Sequence, residues 1–409
     1  MSCRPFRIQK RECYLNDQIR SFFPGASEQT YLNIAAKGLI PSSVRDVVNA
    51  YLDQQIAGTS DKDVLREQVD ETRALIASII GVEADEVAIT KNVSEGLNLF
   101  AASLEWRAGD NVVVCPDLEH PNNIYLWFNL ARRYGVEVRS IESVDGSIPV
   151  DRMVAAIDER TRIVTFPTIS FAPGFITDVE PIVRAAQDVG AWTLADGAQS
   201  IGSLETDVRA MGVDALAVAT QKGLLSLYGF GFLYVRREVA EQLVPIHVAR
   251  YGITLDAHET AYSDAPLVYA PGARRFDLGN YNYLGMTATR AALQFIKDVG
   301  VSKIEAHVRG LAADLADGLM DLGMPVVGGR PGPHLAHIVS SGHLGSGRHY
   351  TAEDPEVNEL HRHLVDAGVV FALRAGVLRF SFGLYNNHSD VERVLSAVRS
   401  WREQGVSVS

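Results

Sequence analysis

Apolar residues recur at three- and four-residue steps over 43–57 and again over 62–80, where Val64, Val69, Leu75, Ile76, Ile79 and Ile80 mark the repeat. That spacing predicts two amphipathic helices. Ahead of them, Pro24-Gly25 precedes an extended stretch, Tyr31-Leu32-Asn33-Ile34. From residue 86 the rhythm changes to short apolar runs alternating with longer amphipathic ones. Runs at 87–89, 112–115, 163–166, 191–195, 214–218 and 231–235 predict strands, and 94–104, 122–134 and 179–189 predict helices between them. Uniformly apolar strands joined by helices predict a largely parallel α/β sheet, covered on both faces.

After about residue 285 the pattern changes again. A helix over 286–298 leads away, and the remainder mixes helices (302–322, 354–367, 388–402) with strands (335–340, 368–373, 377–383). The expected organisation is an N-terminal segment (1–28) packing with a small C-terminal domain (286–409), and a large domain (29–285) between them. Residues 341–350, with three glycines and two serines, predict a mobile loop. The chain shows neither an internal repeat nor a low-complexity tract.

Composition alters this picture little. The 409 residues are 47% hydrophobic and 22% charged, as in an ordinary globular protein. A formal net charge of −12 argues against a nucleic-acid surface. No apolar run is long enough to span a membrane, and the first residues lack the apolar core of a signal peptide. A cytoplasmic protein without membrane or nucleic-acid partners is therefore expected. Cys3, Cys13 and Cys115 have neither zinc spacing nor the density of a disulfide scaffold, so no metal site is expected.

Candidate chemistry gathers at strand ends. Asp196 closes the run at 191–195, and Lys222 follows the run at 214–218. A lysine that forms an imine and an aspartate that keeps a pyridine nitrogen protonated are the two protein groups pyridoxal phosphate needs. Asp196 stands at the carboxyl end of its strand, where α/β sheets bind ligands; a cap before Gly197 is the other role open to it. Asn92-Val93-Ser94-Glu95-Gly96 lies between a strand and a helix. Amides and a hydroxyl there make a seat for phosphate, although Ser94 would serve equally as a helix cap. His120, after the strand at 112–115, could stack on an aromatic cofactor or shuttle protons, or simply occupy a surface loop.

In order and spacing these residues resemble the class V aminotransferase group of fold-type-I pyridoxal phosphate enzymes. That group includes cysteine desulfurases, selenocysteine lyases, isopenicillin N epimerase and C–S lyases. The likeness runs from Tyr31-Leu32-Asn33-Ile34-Ala35-Ala36 to Leu384-Tyr385-Asn386-Asn387. It implies an α/β fold whose large domain carries a mostly parallel seven-stranded sheet, followed by a smaller α+β domain. It further implies pyridoxal 5′-phosphate as cofactor, an amino-acid substrate, and a homodimer with its active site near the subunit interface.

Residue by residue, the resemblance implies these roles. Lys222 would hold the cofactor as an imine and later move protons at Cα. Asp196 would pair with the ring nitrogen, Gln199 would reach the phenolic oxygen, and His120 would stack on the ring. Val93 and Ser94 would hold the phosphate, with Gln221 as a further contact on that side. Asn280, closing Arg275-Phe276-Asp277-Leu278-Gly279-Asn280, would reach the neighbour's phosphate, although Asn280-Tyr281 stands where Thr-Pro is frequent. Arg379 matches the arginine that grips a substrate carboxylate, a task suited to a planar guanidinium. Arg374 is a second candidate, and Ala36 also falls on the substrate side. Lys37 and Tyr283 could face substrate too, beside surface and core roles.

Departures from the family pattern bear on the reaction. Desulfurases carry a nucleophilic cysteine on a loop before the carboxylate arginine; here that stretch is only Arg374-Ala375-Gly376-Val377-Leu378, and no cysteine follows residue 115. Gln221 stands where desulfurases commonly have histidine. Gly223 replaces a usual tryptophan, and Leu225-Ser226-Leu227-Tyr228 replaces a Gly-Pro turn, changes expected to enlarge the pocket. The expected enzyme acts through an external aldimine and loss of the Cα proton, ending in elimination or epimerisation rather than desulfuration. A true aminotransferase, and more remotely a non-catalytic cofactor-binding regulator, are the alternatives.

Overall fold

The computed structural model describes residue 15 and residues 17–254, 267–345 and 347–406. The extended stretch near the start contains a two-residue strand, β1 (Thr30–Tyr31). Seven strands then build the central sheet: β2 (Val87–Thr90), β3 (Asn111–Val114), β4 (Glu137–Ser140), β5 (Thr161–Pro167), β6 (Trp192–Asp196), β7 (Ala215–Ala219) and β8 (Gly231–Val235). Their order is β2-β8-β7-β6-β5-β3-β4. Within this sheet β8 runs antiparallel to both neighbours, and every other pairing is parallel.

Both faces of the sheet are dry, which explains why its strands read as unbroken apolar runs. Leu194, Ala215, Ala217 and Ala219 enter one apolar cluster, while Ala195, Leu216 and Val218, which alternate with them, enter another. The apolar pattern does not predict β4. It is an edge strand with no fully buried residue, so Glu137-Val138-Arg139-Ser140 has no apolar run to show.

Helices Ser42–Ala57 and Lys62–Ile80 stand where the periodicity places them. Each ends on a glycine in the left-handed conformation, Gly58 and Gly81. Helix Tyr283–Val299 starts three residues before the predicted position, because the Asn282 side chain accepts a hydrogen bond from the Gly285 amide and caps it. Beyond it, β9 (Ile338–Gly342), β11 (Ala372–Arg374) and β12 (Val377–Ser381) form an antiparallel sheet in the order β11-β12-β9, while β10 (Val369–Val370) pairs with β1. Helices Val301–Asp321, Pro355–Asp366 and His388–Val406 accompany these strands.

The described part of the N-terminal segment lies against this C-terminal region. The Arg20 guanidinium sits 2.7 Å from the Asp390 carboxylate, and the Phe23 ring lies 5.0 Å from that of Tyr385. Cys3 and Cys13 lie outside the described residues.

One buried ion pair joins two distant stretches of chain. Arg73, in helix Lys62–Ile80, sits 2.8 Å from the Asp277 carboxylate and also donates to the Val87 carbonyl. Asp277 further accepts from the Ile89 amide at 2.8 Å and the Tyr281 hydroxyl at 2.9 Å. Both charged side chains are buried. Asp277→Ala would strand a cation, a hydroxyl and an amide together, so a loss of about 3–5 kcal/mol of stability is expected. Denaturant melting of the variant checks this, and a loss below about 1 kcal/mol, the worth of an exposed pair, would contradict it.

Candidate active site

A cavity of about 300 Å3 opens beside the carboxyl ends of β6 and β7. Asp196, the last residue of β6, is 7% exposed, and its Oδ1 accepts from the Ala198 amide at 2.8 Å. Burial raises its carboxyl pKa, and Lys222 pulls the other way. Gln199, in the same turn, donates from Nε2 to the Ala35 carbonyl at 3.0 Å, which leaves its Oε1 buried without a partner.

Lys222 follows β7 and faces the same cavity. Among the described residues its amine has neither a hydrogen bond nor an ion pair. Burial pushes that amine down to about 8, with Asp196 opposing and Arg379 and Arg374 adding to the shift. A lowered pKa means that the neutral, nucleophilic amine dominates above pH 8, rather than above the roughly 10.4 of an exposed lysine. Acylation of Lys222 in the cofactor-free chain, followed by mass spectrometry of its peptide, should be half-maximal near pH 8. A midpoint above 10 would refute this reading of its surroundings.

The segment from Ala35 to Gly38 passes directly over the lysine turn. Gly38 donates to the Gln221 carbonyl at 2.8 Å, and a Cβ at Gly38 would lie 2.5 Å from the Lys222 carbonyl oxygen. Only glycine permits that approach, and it brings Ala35 and Ala36 onto the cavity.

Helix Val93–Ala102 points its N-terminus at the cavity. Asn92 caps it by accepting from the Glu95 amide at 2.9 Å. Gly96 donates to the Asn92 carbonyl, so among the described residues the amides of Val93 and Ser94 are left without partners. Val93 lines the cavity, as does Gln221, whereas the half-buried Ser94 does not.

His120 caps a short 3₁₀ turn, its Nδ1 accepting from the Asn122 amide at 3.3 Å. Its ring meets Phe171 at 6.0 Å and His349 at 5.7 Å, both edge-to-face. Burial, then the charge of Lys222, pushes its pKa down to about 4, so this imidazole is neutral at physiological pH.

The opposite wall comes from the β11–β12 hairpin. Arg379 is buried, donates from Nη1 to the Phe171 carbonyl at 2.6 Å, and leaves its Nε without a partner. Burial pushes its pKa down to about 9, with Arg374 as the next cause. Arg374 donates to the Leu373 carbonyl at 2.7 Å and stands 4.5 Å from the centre of the Tyr350 ring.

Nine sequence candidates thus share one cavity: the six of Ala36, Val93, His120, Asp196, Gln199 and Gln221, together with Lys222, Arg374 and Arg379. Asn280 is exposed and lies outside it, as does Lys37. Tyr283 also stands apart from it. Sequence reasoning missed Phe171, His349 and Tyr350 as cavity residues, since nothing in their local sequence marks them. Tyr228 reaches the rim, while Leu224, Leu225 and Ser226 before it are buried.

These residues suit pyridoxal phosphate. A buried carboxylate, a partnerless lysine and two free first-turn amides are the groups its pyridine nitrogen, aldehyde and phosphate require, and Gln199 stands in the same cavity beside them. Sheet, lysine and aspartate together define a fold-type-I pyridoxal phosphate enzyme. The family model for class-V aminotransferases matches residues 30–394, and the chain belongs to that family. The chain is 36% identical over 306 residues to a Methanothermobacter thermautotrophicus protein named Probable cysteine desulfurase, covering 73% of this chain and 74% of that one. It is 29% identical to the Bacillus subtilis protein named Uncharacterized aminotransferase YcbU, over 94% of this chain and 98% of that one. Among solved structures, the apo cysteine desulfurase of Thermococcus onnurineus superimposes with a TM-score of 0.81 at 26% identity, covering 95% of this chain and 98% of that one. Among the described residues, no helix is long and apolar enough to cross a membrane.

Proposed function

We propose that this enzyme activates the Cα–H bond of an amino acid, leading to elimination or epimerisation rather than to sulfur transfer onto an enzyme cysteine. The observation that carries the reading is Lys222, a partnerless amine of lowered pKa in one cavity with Asp196 and Arg379. Bound pyridoxal phosphate supplies an electron sink for charge developing at Cα. Asp196 favours the protonated ring nitrogen, because a nearby carboxylate stabilises a cation. Arg379 takes the substrate carboxylate through its unshared guanidinium edge and so orients Cα. Lys222 accepts the Cα proton, a task for which a pKa near 8 is well matched. His120, neutral and on the same cavity, would stack on the bound ring and keep water from that face.

The hairpin supports the part of the proposal that concerns sulfur. A two-residue turn, Ala375-Gly376, joins β11 to β12 and holds no cysteine. Cys115 is buried beyond β3, and burial together with Asp117 pushes its thiol up to about 12, so it is a poor nucleophile. We also propose a homodimer, which would place the exposed Asn280 against a neighbour and cover Val244 and Ile246, 61% and 59% exposed. A monomer with full activity would defeat that part.

The test is to record the visible absorbance of the cofactor-loaded enzyme with a panel of L-amino acids that includes cysteine and cystine. A transient change that reverses, with a keto acid or the inverted amino acid in solution, supports the proposal. Lasting bleaching means transamination. A persulfide on the protein after cysteine treatment, as the names of several relatives suggest, would overturn it.

A further inference from the structure

The two arginines of the cavity are geometrically a pair. In the β11–β12 register Arg379 faces Ala372 and Arg374 faces Val377. Directly opposed residues share a face, as do residues two apart on one strand. Arg374 and Arg379 therefore project from the same face of the hairpin as diagonal neighbours, with backbones roughly 7–8 Å apart. Ala375 and Gly376 both take positive φ, 48° and 88°, the signature of a tight two-residue turn that fixes this register.

Neither guanidinium has a carboxylate partner among the described residues, although both line the cavity. Asp196 faces Lys222 and the β6 turn, and among the described residues no ion pair joins it to the hairpin. One substrate carboxylate satisfies Arg379. Arg374 is left over, and the loop over 347–351 completes its surroundings. His349 and Tyr350 from that loop line the same cavity, with their rings 4.3 Å apart. The loop and the chain before it are fastened to the hairpin tip: Gly345 donates to the Ala375 carbonyl at 2.8 Å, and Gly376 donates to the Thr351 carbonyl at 3.0 Å. Such fastening makes this a formed recess rather than a stray surface charge.

Resting on the reading that the enzyme binds an amino acid, we infer that its substrate carries a second anionic group, a carboxylate or a sulfur oxyanion, which Arg374 holds beside Tyr350 and His349. The diagonal spacing and a cavity of about 300 Å3 favour a short side chain, since that volume is at the low end of the roughly 300–1,000 Å3 usual for ligand pockets. A planar fork lying over an aromatic ring leaves its edge for the anion.

Cofactor-loaded enzyme titrated with matched pairs tests this: L-aspartate against L-asparagine, L-glutamate against L-glutamine, and L-cysteine sulfinate against L-cysteine. Dissociation constants are read from the cofactor's visible absorbance and KM from product release. At least one acid should bind on the order of 10- to 100-fold tighter than its neutral partner, the worth of a charge-assisted hydrogen-bonded pair. Arg374→Gln should collapse that ratio toward one, and Arg374→Lys should restore part of it. Which acid responds identifies the anion. Neutral partners binding as well as the acids to the unaltered enzyme would overturn the inference, even if the variants fail to fold. An unchanged ratio in Arg374→Gln would also overturn it, and weakened cofactor retention with that ratio intact would reassign Arg374 to the phosphate. Absorbance that responds to no amino acid at all would instead defeat the underlying reading.

Discussion

Replacing Lys222 by alanine is expected to reduce turnover by on the order of 10^4-fold or more, since one side chain supplies both nucleophile and proton carrier. The cavity offers no substitute. With a pKa near 4 His120 is too weak a base to replace Lys222, and Arg379, at about 9, stays charged near neutrality. The expected loss therefore falls on kcat, while substrate affinity, set mainly by Arg379, changes less. A second readout separates chemistry from collapse. After borohydride treatment the unaltered chain should carry the cofactor covalently on the peptide containing residue 222, and the variant should carry none. Retained turnover in Lys222→Ala would show that the reaction does not run through this lysine, and retained biological activity without turnover would favour a non-catalytic regulator.

Asp196→Asn should lower kcat/KM by about 10²–10³-fold, equivalent to roughly 2.7–4 kcal/mol of transition-state stabilisation. The amide keeps the shape and can still accept from the Ala198 amide, as Oδ1 does now at 2.8 Å. What disappears is the charge, and with it the preference for a protonated ring nitrogen. Burial already raises the pKa of this carboxyl, and the positive charge of Lys222 counters that. A ring cation in contact with it would act in the same direction as Lys222 and keep Asp196 ionised. Full activity in the variant, at unchanged thermal stability, would reduce Asp196 to a turn cap. Activity lost together with the fold would leave the comparison to Asp196→Glu, which retains charge and should recover part of the rate.

The sequence makes the core of the sheet readable because its strands are buried on both sides and show it. Six of the seven strands announce themselves this way; β4 at the edge does not, because its side chains contact solvent. Lys222 and Asp196 are legible for a related reason. A single ionisable residue at the end of an apolar run stands where a sheet presents ligands. His349, Tyr350 and Phe171 are not legible, because they reach the cavity through loops whose course depends on distant partners. His349 arrives through a loop pinned to residues 375 and 376, and Phe171 through its carbonyl's bond to Arg379. The resemblance to a family supplied roles that periodicity cannot, among them the placing of both Val93 and Ser94 on the phosphate side, of which Val93 lines the cavity and Ser94 offers a free amide beside it.

The two-residue turn at Ala375-Gly376 has a consequence for inheritance. Side chains alternate along a strand, so a single added residue between Arg374 and Ala375, with the turn kept, would pair the newcomer with Val377 and set Arg374 opposite Leu378, on the far face. Arg379 would stay, because β12 is also held in register by β9, opposite Ser340. One inserted codon would thus remove a positive charge from the cavity while every catalytic group kept its identity and place. Charge preference in this pocket is set by the length of a hairpin, and can be rewritten without a single substitution.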